Sequence, residues 1–147
     1  MTLVIDASVA LKWVLDEPGK EAADALLDDV LAAPALWLVE AANALWRRSR
    51  RGELTDAEAA ERLAELRNAP VVCLPIEDDL EAALALAAEL RHPVYDCLYL
   101  AAAIRENAQV ITADRRFHDT VTASGAYGIA SGCSDAYRSA GSVSGPS

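Results

Sequence analysis

The sequence is short of aromatic rings, positive charge, thiols and long apolar runs, and each shortage excludes a class of protein. Aromatic residues make up 5% of the 147-residue chain, too few for a platform on which nucleobases stack. Thirteen Lys and Arg face 23 Asp and Glu, for a net charge of −10, the wrong sign for a protein that coats polyanions. The three cysteines, Cys73, Cys97 and Cys133, show no C-x-x-C spacing, so a zinc site is not expected, and they read as reduced core thiols of a cytosolic protein. A thiol nucleophile needs a base, and neither histidine, His92 or His118, lies beside a cysteine. No apolar stretch approaches the roughly 20 residues of a membrane span. The opening MTLVID has no basic segment, apolar leader or cleavage site, so we expect no secretory leader, no membrane association and a cytoplasmic location. What is present, 53% hydrophobic and 24% charged residues, excludes a disordered chain and fits one globular domain.

Short apolar runs alternate with helical patterns. TLVI at 2–5, VVCL at 71–74 and QVIT at 109–112 read as buried strands. A brief strand near Ala35–Trp37 and a last one at Tyr127–Ala130 are also expected. Helices are expected over 7–15, Lys20–Leu31, Leu38–Arg51, Tyr95–Asn107 and Arg115–Ala123. Thr55 and Glu58 form a capping box that starts another. A further helix, capped by Asp78 or Asp79, is expected to bury Leu80, Leu84, Ala87 and Leu90. This alternation implies parallel βαβ units in a three-layer α/β/α sandwich. The domain is expected to span 1–130. Residues 131–147, with six serines and three glycines, are expected to form a flexible tail.

Four acids stand in unexpected places. Asp6 ends the first strand and Asp114 follows the QVIT strand, at the sheet edge where α/β proteins bind ligands; each could instead cap a helix. Glu40 interrupts the apolar run LWLVEAANALW, with Asn43 on the same helical face. A buried carboxylate there needs a cation, either a metal or an arginine. Asp96 opens the apolar helix of HPVYDCLYLAAA, where it could also answer the helix dipole. Convergence of all four would set their charges against one another and raise some of their pKa values. A divalent cation removes that conflict, and an all-oxygen site suits Mg²⁺ or Mn²⁺. Such a site can activate water and clamp a phosphodiester.

The ordered set VIDASVALKW, WLVEAANALW, HPVYDCLYLAAA and VITADRRF resembles the PIN-domain family, specifically VapC-type toxins of VapBC toxin–antitoxin pairs, over about residues 2–130. The resemblance implies a PIN fold with a parallel five-stranded sheet and Mg²⁺- or Mn²⁺-dependent endoribonuclease activity. It also implies a VapB-like antitoxin as partner, a homodimer, and an RNA substrate, transfer RNA being the family expectation. By motif match, Asp6 and Asp96 take the place of the principal metal ligands, and Glu40 and Asp114 complete the set. Ser8 and Thr112 match hydroxyl positions beside them, and Asp119 is a weaker match to a further acid.

Arg115 and Arg116, directly after Asp114, are placed to meet a substrate phosphate. The run Arg47, Arg48, Arg50 and Arg51 suits either a solvated helix end or contact with RNA or an acidic antitoxin segment. Trp13, Trp37 and Trp46 read as core or partner-interface residues. Two rival readings remain: a catalytically inactive PIN scaffold that only binds partners, and a haloacid-dehalogenase-like phosphatase. The second wants another aspartate two residues after Asp6, where this chain has Ser8.

Overall fold

Thr2–Ile5 forms β1, and three of its four residues are buried, as an apolar run covered on both faces requires. The computed structural model of the chain describes residues 2–131 and sets β1 at the middle of a five-stranded sheet. Val30–Pro34 (β2), Val71–Leu74 (β3), Gln109–Thr112 (β4) and Ile129–Ser131 (β5) complete it in the order β3-β2-β1-β4-β5. Every pairing is parallel, so helical crossovers join the successive strands. Those helices are Ala7–Val14 (α1), Lys20–Ala25 (α2), Trp37–Arg50 (α3), Asp56–Arg67 (α4), Leu80–Leu90 (α5), Val94–Arg105 (α6) and Arg115–Ser124 (α7). A parallel sheet flanked by helices is the expected α/β/α architecture.

The strand order reverses at β1. The chain steps outward to β2 and β3, returns past β1 to β4, and continues to β5. The crevice beyond the carboxyl ends of β1 and β4 is therefore the switch point, the usual ligand position in such sheets. The Asp6 N–H donates to the Ile111 carbonyl at 2.9 Å and carries the ladder to that edge. Beneath it lie Val4, Val110 and Ile111, packed with Tyr99 and Leu100 of α6 and with Ala41 and Leu45 of α3. α6 is buried from Cys97 to Ala103, as its apolar sequence requires. The capping box of α4 is present, with the Glu58 N–H donating to Thr55 Oγ1 at 3.1 Å.

Several expectations are corrected. The helix expected over Lys20–Leu31 ends at Ala25, and a 3-10 turn at Leu26–Asp28 leads into β2. Val30 and Leu31 fit a helical period, but β1 offers them partners at Thr2 and Leu3, and sheet pairing overrides local spacing. The strand sought at Ala35–Trp37 is this earlier one. β3 is not buried: it is an edge strand with a neighbour only in β2, and Val72 and Cys73 are exposed. Cys97 is a core thiol, Cys73 is not, and Cys133 lies outside the described residues. α5 turns Ala83 and Leu86 inward, with Ala87 and Leu90 partly covered, and leaves Leu80 and Leu84 outside. Asp79 takes the N-cap position of α5 as expected, but its side chain makes no cap bond; its carboxylate receives Arg105 Nε and Nη2 at 2.8 and 2.9 Å. Of the expected tail, Ser131 pairs with Thr112 in the sheet, and 132–147 lie outside the described residues. Among the described residues no helix is long and apolar enough to cross a membrane.

Candidate active site

Asp6 sits where β1 stops and α1 begins, and it is only 7% exposed. It is the N-cap residue of α1, yet its side chain makes no capping hydrogen bond. Its carboxylate instead receives two hydroxyls on one oxygen: Thr112 Oγ1 donates to Oδ2 at 2.6 Å and Ser8 Oγ at 2.8 Å. Those hydroxyls are held in turn by backbone. The Ala113 N–H donates to Ser8 Oγ and the Asp114 N–H to Thr112 Oγ1, each at 3.0 Å. The end of β4 thus orients the carboxylate at the end of β1.

The other three acids are anchored by other means. Glu40, in the first turn of α3, has no arginine partner among the described residues; its Oε1 accepts the Tyr99 hydroxyl at 2.7 Å. Asp96, in the first turn of α6, bonds His92 Nε2 through Oδ2 at 2.6 Å. His92 is buried with its ring edge against Phe117, 5.1 Å between centroids. Asp114 does cap a helix: its Oδ1 accepts the Phe117 N–H at 3.2 Å at the start of α7. Each acid therefore commits one carboxylate oxygen to a protein donor, and the other takes part in none of these bonds.

The acids lie within one another's fields. Burial raises the Asp6 pKa to about 6, opposed by the Thr112 and Ser8 hydroxyls and reinforced by the charges of Asp96 and Asp114. Burial raises Glu40 to about 7, opposed by Tyr99 and reinforced by Asp6 and Asp96. Asp96 is raised too, by burial first, against its bond to His92. As the side chains stand, no three Asp, Glu, His or Cys groups among the described residues close around one common point. The donor set nonetheless fits a hard divalent cation held partly through water. It is all oxygen, each acid is braced, and the strain that raises the pKa values is one a cation relieves.

The remaining expected site residues fall unevenly. Ser8 and Thr112 join the acid network. Asn43 is exposed on α3 and makes none of the bonds that brace the acids. Arg115 and Arg116 are exposed in the first turn of α7 beside Asp114. Asp119 is exposed and pairs with His118 at 3.3 Å. Arg47 to Arg51 lie at the opposite end of α3 from Glu40, where Arg48 pairs with Glu17 and Arg50 covers Trp46. Trp37 is buried and Trp13 donates its Nε1–H to the Ala23 carbonyl, but Trp46 is exposed. Sequence reasoning missed His92 and Tyr99. Tyr99, three residues after Asp96, lies on the same face of α6, and that spacing was the available signal; His92 precedes the helix, and only its nearness to Asp96 in sequence pointed to it.

A family model described as the PIN domain matches residues 3–122. The curated Ribonuclease VapC3 of Pyrobaculum aerophilum is 32% identical over 120 residues, covering 79% of this chain and 92% of that protein. Among solved structures, PAE2754 of Pyrobaculum aerophilum superposes with a TM-score of 0.66 at 24% identity, over 82% of this chain and 79% of that one. The Rickettsia felis VapBC2 structure, bound to a DNA fragment from its promoter, superposes at 0.62 with 14% identity, over 89% and 98%.

Proposed function

The chain belongs to the PIN-domain family, and from that premise we propose that it is a VapC-type toxin: a divalent-metal-dependent endoribonuclease restrained by a VapB-like antitoxin. This reading is supported by the braced carboxylates Asp6, Glu40, Asp96 and Asp114, whose charges act on one another. Support for an antitoxin comes from the VapBC assembly among the structural neighbours. Exposed apolar side chains on α3, Val39 and Trp46, and on α5, Leu84, suit such a partner and a homodimer. The substrate is RNA, with transfer RNA the first candidate, and the location is cytoplasmic.

Bound Mg²⁺ or Mn²⁺ would polarise a phosphodiester and acidify water. Asp6 and Asp96 would hold it, with Glu40 and Asp114 completing the shell. Ser8 and Thr112 keep Asp6 from turning, and His92 does the same for Asp96. Arg115 and Arg116 would neutralise a flanking phosphate. Hydrolysis with departure of the 3′ oxygen leaves 3′-hydroxyl and 5′-phosphate ends. The phosphatase alternative loses ground at Ser8, whose hydroxyl braces Asp6 where that chemistry needs an acid.

The test is cleavage of a defined RNA by the purified chain with chelator, with Mn²⁺, and with Asp96→Asn. Cleavage should stop with chelator, return with Mn²⁺ and stay absent in Asp96→Asn. Undiminished cleavage in chelator overturns the metal dependence. No cleavage of any RNA with Mn²⁺ overturns the enzyme and leaves the inactive scaffold.

A further inference from the structure

We propose that Tyr99 is a positioning residue for this site, whose single buried hydroxyl fixes Glu40 against the start of α1. The inference rests on the metal-site reading above and deepens it. Tyr99 stands three residues after Asp96 on α6 and is 1% exposed. Its hydroxyl donates to Glu40 Oε1 at 2.7 Å, and the backbone of Ala7, the residue that follows Asp6, lies close enough to act on it electrostatically. One hydroxyl thus joins the helices that carry Asp96 and Glu40, beside the segment that carries Asp6.

The hydroxyl is not explained by packing. A phenylalanine ring would fill the same core volume among the apolar residues of α6, β1 and α3, without burying a polar atom. A buried hydroxyl must find partners, and this one commits its proton to Glu40. Burial and the nearby carboxylates keep the phenol protonated, so it donates to Glu40. The effect on Glu40 is geometric. A glutamate side chain has three torsions and loses considerable freedom when ordered. Pinning Oε1 sets the plane of the carboxylate and therefore where Oε2 lies. Glu40 stands in the first turn of α3 with no backbone donor or strand end to orient its carboxylate, so the Tyr99 hydroxyl carries that task. Metal ligands held by such outer partners lose roughly 10- to 100-fold in metal affinity or activity when the partner is removed.

The experiment is a double-mutant cycle on Mn²⁺ binding, by titration calorimetry of the metal alone into the full chain, with apo stability measured in parallel. Tyr99→Phe should weaken Mn²⁺ binding by roughly 10- to 100-fold. In the Glu40→Gln background the same change should cost nothing further, because the group through which Tyr99 acts no longer contributes. A purely structural tyrosine would instead lower affinity equally in both backgrounds, or lower apo stability alone; either result overturns the proposal. Glu40→Asp keeps the charge but withdraws the carboxylate from the hydroxyl. It should lose a similar factor, and it carries the test if Tyr99→Phe does not fold. Wild-type affinity in Glu40→Asp or in folded Tyr99→Phe overturns the positioning role and leaves the metal site standing. A wild-type chain that binds no Mn²⁺ overturns the metal site itself, and this inference with it.

Discussion

Asp6 allows the energetic strain of the site to be measured in the metal-free chain. Its pKa stands at about 6 where an ordinary aspartate has 3.8, chiefly because it is buried. Between those values the folded chain holds a proton that the unfolded chain has released. Stability changes with pH as the unfolded-minus-folded difference in bound protons, and that difference is negative here. The metal-free protein therefore loses stability as pH rises through this window, and the loss is complete above it. The displacement is worth roughly 3 kcal/mol, an upper bound because the site can relax. For a chain of this size that is roughly 6–12 °C of melting temperature.

Asp6→Asn isolates this term. Both hydroxyls donate to Oδ2, so an amide oxygen there keeps them and the amide nitrogen replaces the oxygen with no donor. Urea unfolding in chelator should find the variant more stable than wild type at pH 8, by up to roughly 3 kcal/mol, and nearly equal to it below pH 4. Adding Mn²⁺ should close the gap. Wild type gains roughly 2.7 kcal/mol at a hundred times Kd, and the variant gains little. An Asp6→Asn chain less stable than wild type at pH 8 in chelator would show that the Asp6 charge is compensated within the protein, and the electrostatic argument for a cation would collapse.

Three further outcomes follow from other parts of the molecule. Arg116→Ala should weaken RNA binding and lower the slope of log affinity against log salt by about one ion, while leaving the Mn²⁺ effect on melting in place; an unchanged slope removes Arg116 from the substrate path. Thr55→Ala breaks the capping box of α4 and should cost about 1 kcal/mol, with RNA cleavage per folded molecule unaltered; no change in urea midpoint refutes the cap's contribution. Burial, aided by the Asp96 charge, raises the Cys97 thiol to about 11, so thiol reagents at pH 8 should modify exposed Cys73 in the native chain and spare Cys97 until unfolding; mass spectrometry finding Cys97 labelled in the native state contradicts that burial.

The parts of this fold that were legible in the sequence are those where one short-range rule acts alone. TLVI and QVIT are buried on both faces, so an apolar run suffices to mark them. The Thr55–Glu58 box is a local motif and sits where the sequence puts it. The misreadings arose where long-range partners decide. VVCL has the composition of a central strand, but only the strand order reveals that it is an edge. Val30 and Leu31 obey a helical period until β1 claims them. Leu80 and Leu84 lost the inner face of α5 to Ala83 and Leu86, a choice made by α6 packing alongside. In the candidate site the acids were visible because a carboxylate in an apolar run is costly. The groups that brace them were not, since Tyr99 looks like an ordinary member of a buried helix, and His92 like a residue of the turn before it, until their partners on α3 and in α6 are known.

Charge bears on how an acidic chain can serve RNA. With a net charge of −10, attraction to phosphate must be local. Several of the arginines and lysines that could supply it are already engaged: Lys12 and Arg48 on Glu17, Arg62 on Glu65, Arg105 on Asp79 and Glu106. Arg115 and Arg116 are in none of these ion pairs, and they occupy the first turn of α7, where positive charge opposes the helix dipole. Folding alone gives no reason to put two cations there. Asp114 caps that same turn and offsets part of the conflict, yet only one of its oxygens is taken by the cap. The turn thus sets two guanidinium groups, in none of the ion pairs among the described residues, beside an acid that is braced but not neutralised. Next to it stands a cluster of carboxylates that gains from a cation and repels phosphate without one. On the proposed reading the metal and the two arginines are one device, since together they reverse the sign of the local field at the switch point. RNA affinity should therefore be more sensitive to metal at this edge than to any change in the arginines at the far end of α3.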